Sequence, residues 1–431
     1  MKITFIQVKI TWCKKNHFSW NRFEPTIYAK LKSLVPNDIE CELIDTRFEN
    51  VNYDKPTNLV VMSVTTINAK LAYEIADEYR KRGVKVVLGG IHVNLIPEEA
   101  KLHADCISLG ESELVFPKIM EDFKNGCLKS VYRAEERYDF SNYKMDLSIF
   151  KGKKYFPIHC IETSRGCIFK CNFCSLAPMY NQQVIYRNPD DVIEEIKNYK
   201  EPFILFVDEN FGNNINHTSE ILRKLIPLKK RWVAQMSVNA LQNSEFVELM
   251  QKSGCFNIFI GFETINPSAL KAMNKLSNIN QKNYEIALNN CLKYDITITG
   301  GFINGYLEDT VDTVKATCEY ANSFQFLNCM MSNLNPFPGT PVYDELKNKN
   351  WLINEQWWLS EEFYYNRKPI YFTDKIKADD MPKQGFSAMC EFFEYKNIFK
   401  RFLHSKYRLK TRLFILLVNI YFKYTFKVLG G

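Results

Sequence analysis

No run of apolar residues in this chain is long enough to cross a bilayer. The longest, Leu413 to Val418, falls far short of the ~20 residues that a spanning helix needs. A strong charge imbalance is also missing. The 56 basic and 49 acidic residues leave +7, which is too mild to argue for nucleic acid as a partner. Low-complexity tracts and sequence repeats beyond a strand–helix rhythm are absent, so neither a disordered chain nor a fibre is expected. A secretory signal is missing too. "MKITFIQVKI" has the pattern of a strand, and an unprocessed cytoplasmic chain with reduced thiols is the expectation. What is there is core material: 46% hydrophobic and 14% aromatic residues over 431 positions, enough for two or three domains. Thirteen cysteines are present, most of them scattered singly. In a reducing compartment a tight cysteine cluster is more often metal-binding or catalytic than a disulfide framework.

The periodicity predicts an α/β protein. Residues 1–125 alternate Val- and Ile-rich runs (2–10, 39–47, 58–64, 84–90, 105–110) with amphipathic segments such as 69–83 and 97–104. This is the pattern of a doubly wound, flavodoxin-like domain, whose ligands bind at the carboxyl ends of its strands. Ser63, Thr65, Thr66, Gly89, Gly90, His92, Gly110 and Glu111 fall at those ends. Glycines and small hydroxyls there admit a ligand close to the backbone, and equally suit tight βα turns. Residues 126–157 lack a clean period and read as a linker. From 158 to 345 the rhythm resumes, with strands expected at 159–164, 203–209, 232–238, 257–263, 296–305 and 328–336. About six βα units in series suggest a partial TIM-like barrel with its site at the strand ends. Residues 346–431 form an aromatic, basic extension. It suits a helix docked on the barrel, or an interfacial helix with cations at lipid headgroups.

The stretch "SRGCIFKCNFCSL" sets Cys167, Cys171 and Cys174 in a C-x3-C-x2-C spacing with no fourth cysteine close by. Thiolates select zinc, copper(I) or iron–sulfur clusters. A structural zinc site wants four ligands, and His159 or Cys160 would have to complete it. A [4Fe–4S] cluster held by three cysteines keeps one iron open for a substrate or cofactor.

This loop, following the first strand of a βα barrel, resembles the radical SAM superfamily. There the open iron chelates S-adenosylmethionine (SAM), and reductive cleavage yields a 5′-deoxyadenosyl radical. The resemblance covers about 160–345. It implies that Phe173 neighbours the adenine and that Asp208 and Glu209 of "VDENF" lie at the rim. It also implies that Glu263 of "IGFET" contacts SAM, and that Gly301, Ile303 and Gly305 of "GFINGYLE" pack on the adenine. "NPFPGTPVYDEL" is similar to the segment that closes the barrel. The upstream domain resembles the cobalamin-binding domain that precedes many such barrels. Its "GGIH…PEEA…AD…GE.E" series is similar to the hopanoid C-methylase-like subgroup. That likeness makes the strand-end residues above cobalamin contacts. The D-x-H-x-x-G motif that ligates cobalt elsewhere is absent: His17 lacks the following glycine and His92 falls in another turn.

The resemblance implies a methyltransferase acting on an unactivated carbon through a 5′-deoxyadenosyl radical and methylcobalamin. Alternatives are a radical cyclase, rearrangement or oxidation enzyme without methyl transfer, and a non-catalytic iron–sulfur electron carrier. It further implies a small-molecule substrate and an external one-electron donor of flavodoxin or ferredoxin type, and the aromatic, basic extension suits a lipid-like substrate. Peripheral membrane contact through the extension is the alternative to a helix docked on the barrel, and nucleic acid is not expected. No motif names a general acid or base, although Tyr180, Tyr306 and Glu308 fall near the expected mouth.

Overall fold

The computed structural model describes residues 1–10, 22–275, 278, 280–360, 362, 368–380 and 390–429. The Val- and Ile-rich runs at 59–63, 85–89 and 106–109 become strands buried on both faces, as parallel strands covered by helices are. The first sheet holds β1 (Lys2–Gln7), β2 (Glu40–Asp45), β3 (Leu59–Ser63), β4 (Lys85–Gly89), β5 (Cys106–Leu109) and β6 (Val131–Arg133). Their order is β2-β1-β3-β4-β5-β6, and every neighbouring pair is parallel. Chain direction across the sheet reverses between β1 and β3, where such sheets open a crevice. β6 lies inside the segment read as linker. Three residues carry too little periodicity to declare a strand, and only pairing with β5 makes it one.

Helix Ala69–Lys81 buries Ala69, Ala72, Ile75, Ala76 and Tyr79, the stripe its spacing requires. Helix Pro97–Leu102 starts on a proline with Glu98 and Glu99 in its first turn, which suits the helix dipole.

The second sheet is built from β7 (Ile158–Ile161), β10 (Phe203–Phe206), β11 (Arg231–Met236), β12 (Cys255–Glu263), β13 (Thr297–Asn304) and β14 (Asn328–Asn333). They pair in parallel in the order β14-β13-β12-β11-β10-β7, a partial barrel of six βα units. Two short strands, β8 (Ser164–Arg165) and β9 (Ile185–Tyr186), form a separate antiparallel ribbon at the base of the cysteine loop. The single strand expected over 159–164 therefore ends at Ile161. The Thr163 amide donates instead to the Asp208 carboxylate, at 2.7 Å, and the chain turns there.

One apolar core runs through both sheets. It contains Val60 and Leu88 of the first, Phe206 and Ile260 of the second, and Trp357 and Trp358 of the extension. Glu99 fastens the extension to the first domain. Its carboxylate accepts from Trp358 Nε1 (3.0 Å), Gln356 Nε2 (3.0 Å) and Tyr73 Oη (3.1 Å), and faces His92 Nε2 at 3.1 Å. Glu99→Ala strands the buried Trp358 N–H and should cost about 1–3 kcal/mol. A lower denaturant midpoint at unchanged slope would register that loss.

The chain's last helices are Tyr395–Leu403 and Leu409–Leu429. Among the described residues no helix is long and apolar enough to cross a membrane.

Candidate cofactor sites at the strand ends

Gly166 starts the cysteine loop at φ +103°, a conformation open to glycine, and a Cβ there would meet the Gln183 carbonyl at 2.2 Å. The loop is then pinned from several sides. Asn172 Nδ2 donates to the Ala272 carbonyl (2.7 Å) and the Asn172 amide to the Met273 carbonyl (2.9 Å). Asn274 Nδ2 donates back to the Lys170 carbonyl at 2.7 Å. The Gly166 amide donates to Glu209 Oε2 at 3.0 Å. Cys171 is buried, Cys167 and Cys174 are half-buried, and all three are free thiols.

Lys275 and Glu263 form the charged partner of this loop. Lys275 Nζ sits 2.9 Å from Glu263 Oε1, with both side chains nearly buried. Burial lowers the pKa of the Lys275 ammonium, but Glu263 and the neighbouring thiols raise it further, so it stays charged. Burial pushes the thiols of Cys167, Cys171 and Cys174 up, and Lys275 pulls each of them down. Glu263 ends β12 at φ +67°, which is strained for a residue with a Cβ and recurs at functional sites. Gly301 faces the ring of Phe259, where a Cβ would approach to 2.6 Å. Asn304, between Ile303 and Gly305, is 1% exposed, and neither of its side-chain amide atoms has a partner. A buried orphan amide is costly until a bound group satisfies it.

Three thiols are one ligand short of a structural zinc site and suit a cluster that keeps one iron open. Among the described residues no three His, Cys, Asp or Glu side chains converge as a mononuclear ion needs. His159 stacks on Tyr199 and faces Glu195 and Glu24 instead of the loop.

Asp208 is turned away from a ligand role. Its carboxylate accepts from the Thr163 amide and from the Thr163 and Ser164 hydroxyls, and it is 3% exposed. Burial pushes it up to about 7, although those donors favour its anion. It ties the ends of β7 and β10 together. Phe173 packs half-buried against the main core.

A cavity of about 240 Å³ opens at the carboxyl edge of the first sheet. Ser63, Gly89, Gly90, Gly110 and Glu111 line it, with Val61, Val87 and Phe116 beneath, and Arg165 and Tyr180 reach it from the barrel side. Gly90 has φ +97°, and a Cβ on it would lie 2.7 Å from the Val64 amide nitrogen. This mixture of bare backbone, apolar floor and polar rim fits a corrinoid's nucleotide tail. Gly90→Ala should cut retained corrinoid more than tenfold and leave iron unchanged, as paired metal and corrinoid analysis would register.

Three residues expected here do not line the cavity. Thr65 caps a short 3-10 turn, its amide bonded to Asn68 Oδ1. His92 is fully buried, held between Thr66 Oγ1 and Glu99 at 3.1 Å each, and it packs edge-on against Trp358. Thr66 goes with it, serving the joint to the extension. Among the described residues no histidine lines the cavity, and His17 lies outside them.

The charges between the domains carry no sequence motif. Arg165, before the cysteine loop, pairs with Glu113 (2.7 Å), Glu162 (2.8 Å) and Glu111. Lys30 reaches Glu162 at 2.6 Å, and Arg137 reaches Glu111 at 2.7 Å. Burial pushes Glu162 up, but Lys30 and Arg165 overcome it and hold the carboxyl down at about 2.

Two α/β domains thus meet across a three-thiol loop suited to an iron–sulfur cluster, with a second candidate cofactor site in the first domain. Residues 161–321 match the radical SAM superfamily, and residues 35–120 match the B12 binding domain. The chain is 33% identical over 355 residues to bacteriochlorophyllide d C-12(1)-methyltransferase of Chlorobaculum tepidum, covering 80% of this chain and 76% of that one. It is 26% identical over 284 residues to hopanoid C-2 methylase of Rhodopseudomonas palustris, covering 63% and 54%. In fold it is similar to the cobalamin-dependent S-adenosylmethionine radical enzyme OxsB, solved with aqua-cobalamin bound. The TM-score is 0.68 at 16% identity, over 99% of this chain and 71% of that one. The chain belongs to the radical SAM superfamily, in the group whose barrel follows a B12-binding domain. It is an enzyme, and its cofactors are a [4Fe–4S] cluster, SAM and cobalamin.

Proposed function

We propose that this enzyme methylates an unactivated carbon of a largely apolar small molecule. The observation that carries the reading is the meeting of the two sites: the cavity of the first domain is walled by Arg165 and Tyr180, which flank the cysteine loop. The relatives named above support it, being a methyltransferase of a bacteriochlorophyllide and a methylase of a hopanoid. An extended apolar ring system is therefore the substrate class we favour.

In this reading Cys167, Cys171 and Cys174 hold the cluster. Phe173, Glu209, Glu263, Gly301, Ile303 and Gly305 surround SAM, with Lys275 beside them. Ser63, Gly89, Gly90, Gly110 and Glu111 receive the corrinoid. When bound, these cofactors supply a hydrogen-abstracting radical and a methyl donor. The protein's own work is to orient them, shed water and keep quenching groups away. Burial raises the Tyr180 phenol, which stays protonated and can donate a hydrogen bond at the cavity wall. Electrons come from an external flavodoxin- or ferredoxin-type donor in the reducing cytoplasm, and the basic extension rests on a membrane surface.

The test is anaerobic reconstitution with iron, sulfide and hydroxocobalamin, expecting about four irons and one corrinoid per chain. Methyl-labelled SAM, reductant and tetrapyrrole or polycyclic lipid substrates are then supplied. A product heavier by one labelled methyl supports the reading. A product cyclised or oxidised with no added methyl overturns it.

A further inference from the structure

The last 37 residues, 395–431, contain no aspartate or glutamate and nine lysines and arginines. Those nine cations exceed the +7 of the whole chain, so the preceding residues are net negative. The two final helices dock by one side. Tyr407 Oη donates to the Ile296 carbonyl (3.1 Å), Asn419 Nδ2 to the Leu327 carbonyl (2.7 Å) and Thr411 Oγ1 to Asp295 (2.7 Å). On the outside Tyr395, Phe399 and Leu403 recur every four residues, as do Leu409, Leu413, Leu417 and Tyr421, and all are exposed. Among the described residues the side chains of Lys396, Lys400, Lys406 and Lys410 enter no ion pair, and Arg408 meets Asp295 through its backbone amide alone.

Between the helices lies a shallow cleft lined by Gln325, Arg401, Ser405, Arg412 and Asn419. Arg401 is 5% exposed, and among the described residues no carboxylate pairs with it. Its Nη2 donates to the Phe392 carbonyl (2.7 Å) and Asn419 Oδ1 (2.8 Å), its Nη1 lies 3.4 Å from Asn322 Oδ1, and its Nε–H has no acceptor. Arg412 spends Nε and Nη2 on one carbonyl, that of Phe402. A buried cation without a counter-charge is costly, and burial lowers the Arg401 pKa to about 10. Guanidinium groups pair best with phosphate or carboxylate oxygens.

We infer that this cleft binds the headgroup phosphate of an anionic phospholipid, while the outer stripe of Tyr, Phe and Leu enters the bilayer interface. The cleft encloses only about 10 Å³, room for about one oxygen atom. One phosphate oxygen can therefore enter it, while the rest of the headgroup stays at the surface. The flanking lysines add the long-range attraction that anionic membranes exert on basic segments. The inference rests on the membrane contact proposed above and is independent of the methylation reaction.

The test is co-sedimentation of the full-length, cofactor-loaded protein with vesicles of phosphatidylcholine, with or without phosphatidylglycerol. Wild type should sediment with the anionic vesicles and not the neutral ones, and millimolar inorganic phosphate should not release it. Arg412→Gln and the exposed-stripe double variant Leu413→Glu/Leu417→Glu should each weaken sedimentation more than tenfold with iron and corrinoid contents unchanged. Those contents report that the variants are folded. Release by inorganic phosphate would make the cleft a site for the free ion and overturn the lipid assignment. Arg412→Gln sedimenting like wild type would remove the phosphate site and leave the membrane contact. No sedimentation of wild type would remove both.

Discussion

Cys171→Ala should purify folded, without iron, and should release no 5′-deoxyadenosine from SAM. The loop offers three thiols, and a cluster that keeps one iron open cannot lose a protein ligand and remain bound. Cys171 is 7% exposed, so its loss also removes some packing, about 1 kcal/mol for so small a change. That effect is minor beside loss of the cofactor. The loop itself should keep its shape, since Asn172 and Asn274 pin it through backbone carbonyls and not through sulfur. Cys291→Ala is the matched control. Cys291 is fully buried in the core away from the loop, so its alanine variant should lose stability of similar size and keep its iron. Iron analysis of the two proteins side by side separates ligation from packing. Equal iron in both would remove Cys171 from the cluster.

Arg165→Ala should destabilise the protein by about 3–5 kcal/mol, the usual cost of stranding buried charges. Among the described residues Glu111, Glu113 and Glu162 would keep Lys30 and Arg137 between them. Because these groups belong to both domains, the corrinoid content should fall as well. Arg165→Lys should recover only part of the loss, since an ammonium cannot serve three carboxylates as a planar guanidinium does. The pH dependence carries a definite sign. Glu162 is held down at about 2 in the folded protein, so its pairing contributes stability above its ordinary range. That contribution disappears as pH falls through about 2. The gap between wild type and Arg165→Ala should therefore narrow on acidification below pH ~4.5, when the stranded carboxyls become neutral. Chemical denaturation across that window measures it, and a pH-independent gap would mean that Arg165 acts through packing alone.

Much of this protein was readable along the chain. Val/Ile runs, the 69–81 stripe and the proline–glutamate helix start are local signals, and local signals survive without a fold. The cysteine loop was readable for the same reason: its ligands sit within eight residues, so no tertiary contact is needed to gather them. The glycines at 89, 90 and 110 were legible as backbone openings, and the structure sets all three on the cavity.

Other features depend on partners far apart in sequence. His92 and Thr66 sit in a ligand-like turn, yet Trp358 and Glu99 decide that the imidazole faces an internal joint. Asp208 follows a strand like a site residue, but the Thr163 and Ser164 hydroxyls claim its carboxylate. Lys275 carries no motif and becomes the charge beside the thiols only because the chain after β12 folds back on the loop. The three-residue β6 exists by pairing with β5, and the Arg165 network exists only where two domains meet. The sequence by itself determined the strand and helix pattern, the thiol spacing and the glycine openings, all set by neighbouring residues. Tertiary structure alone decided which way each polar side chain turns, because a buried polar group goes to whichever partner can satisfy it, and that partner is often a hundred residues away.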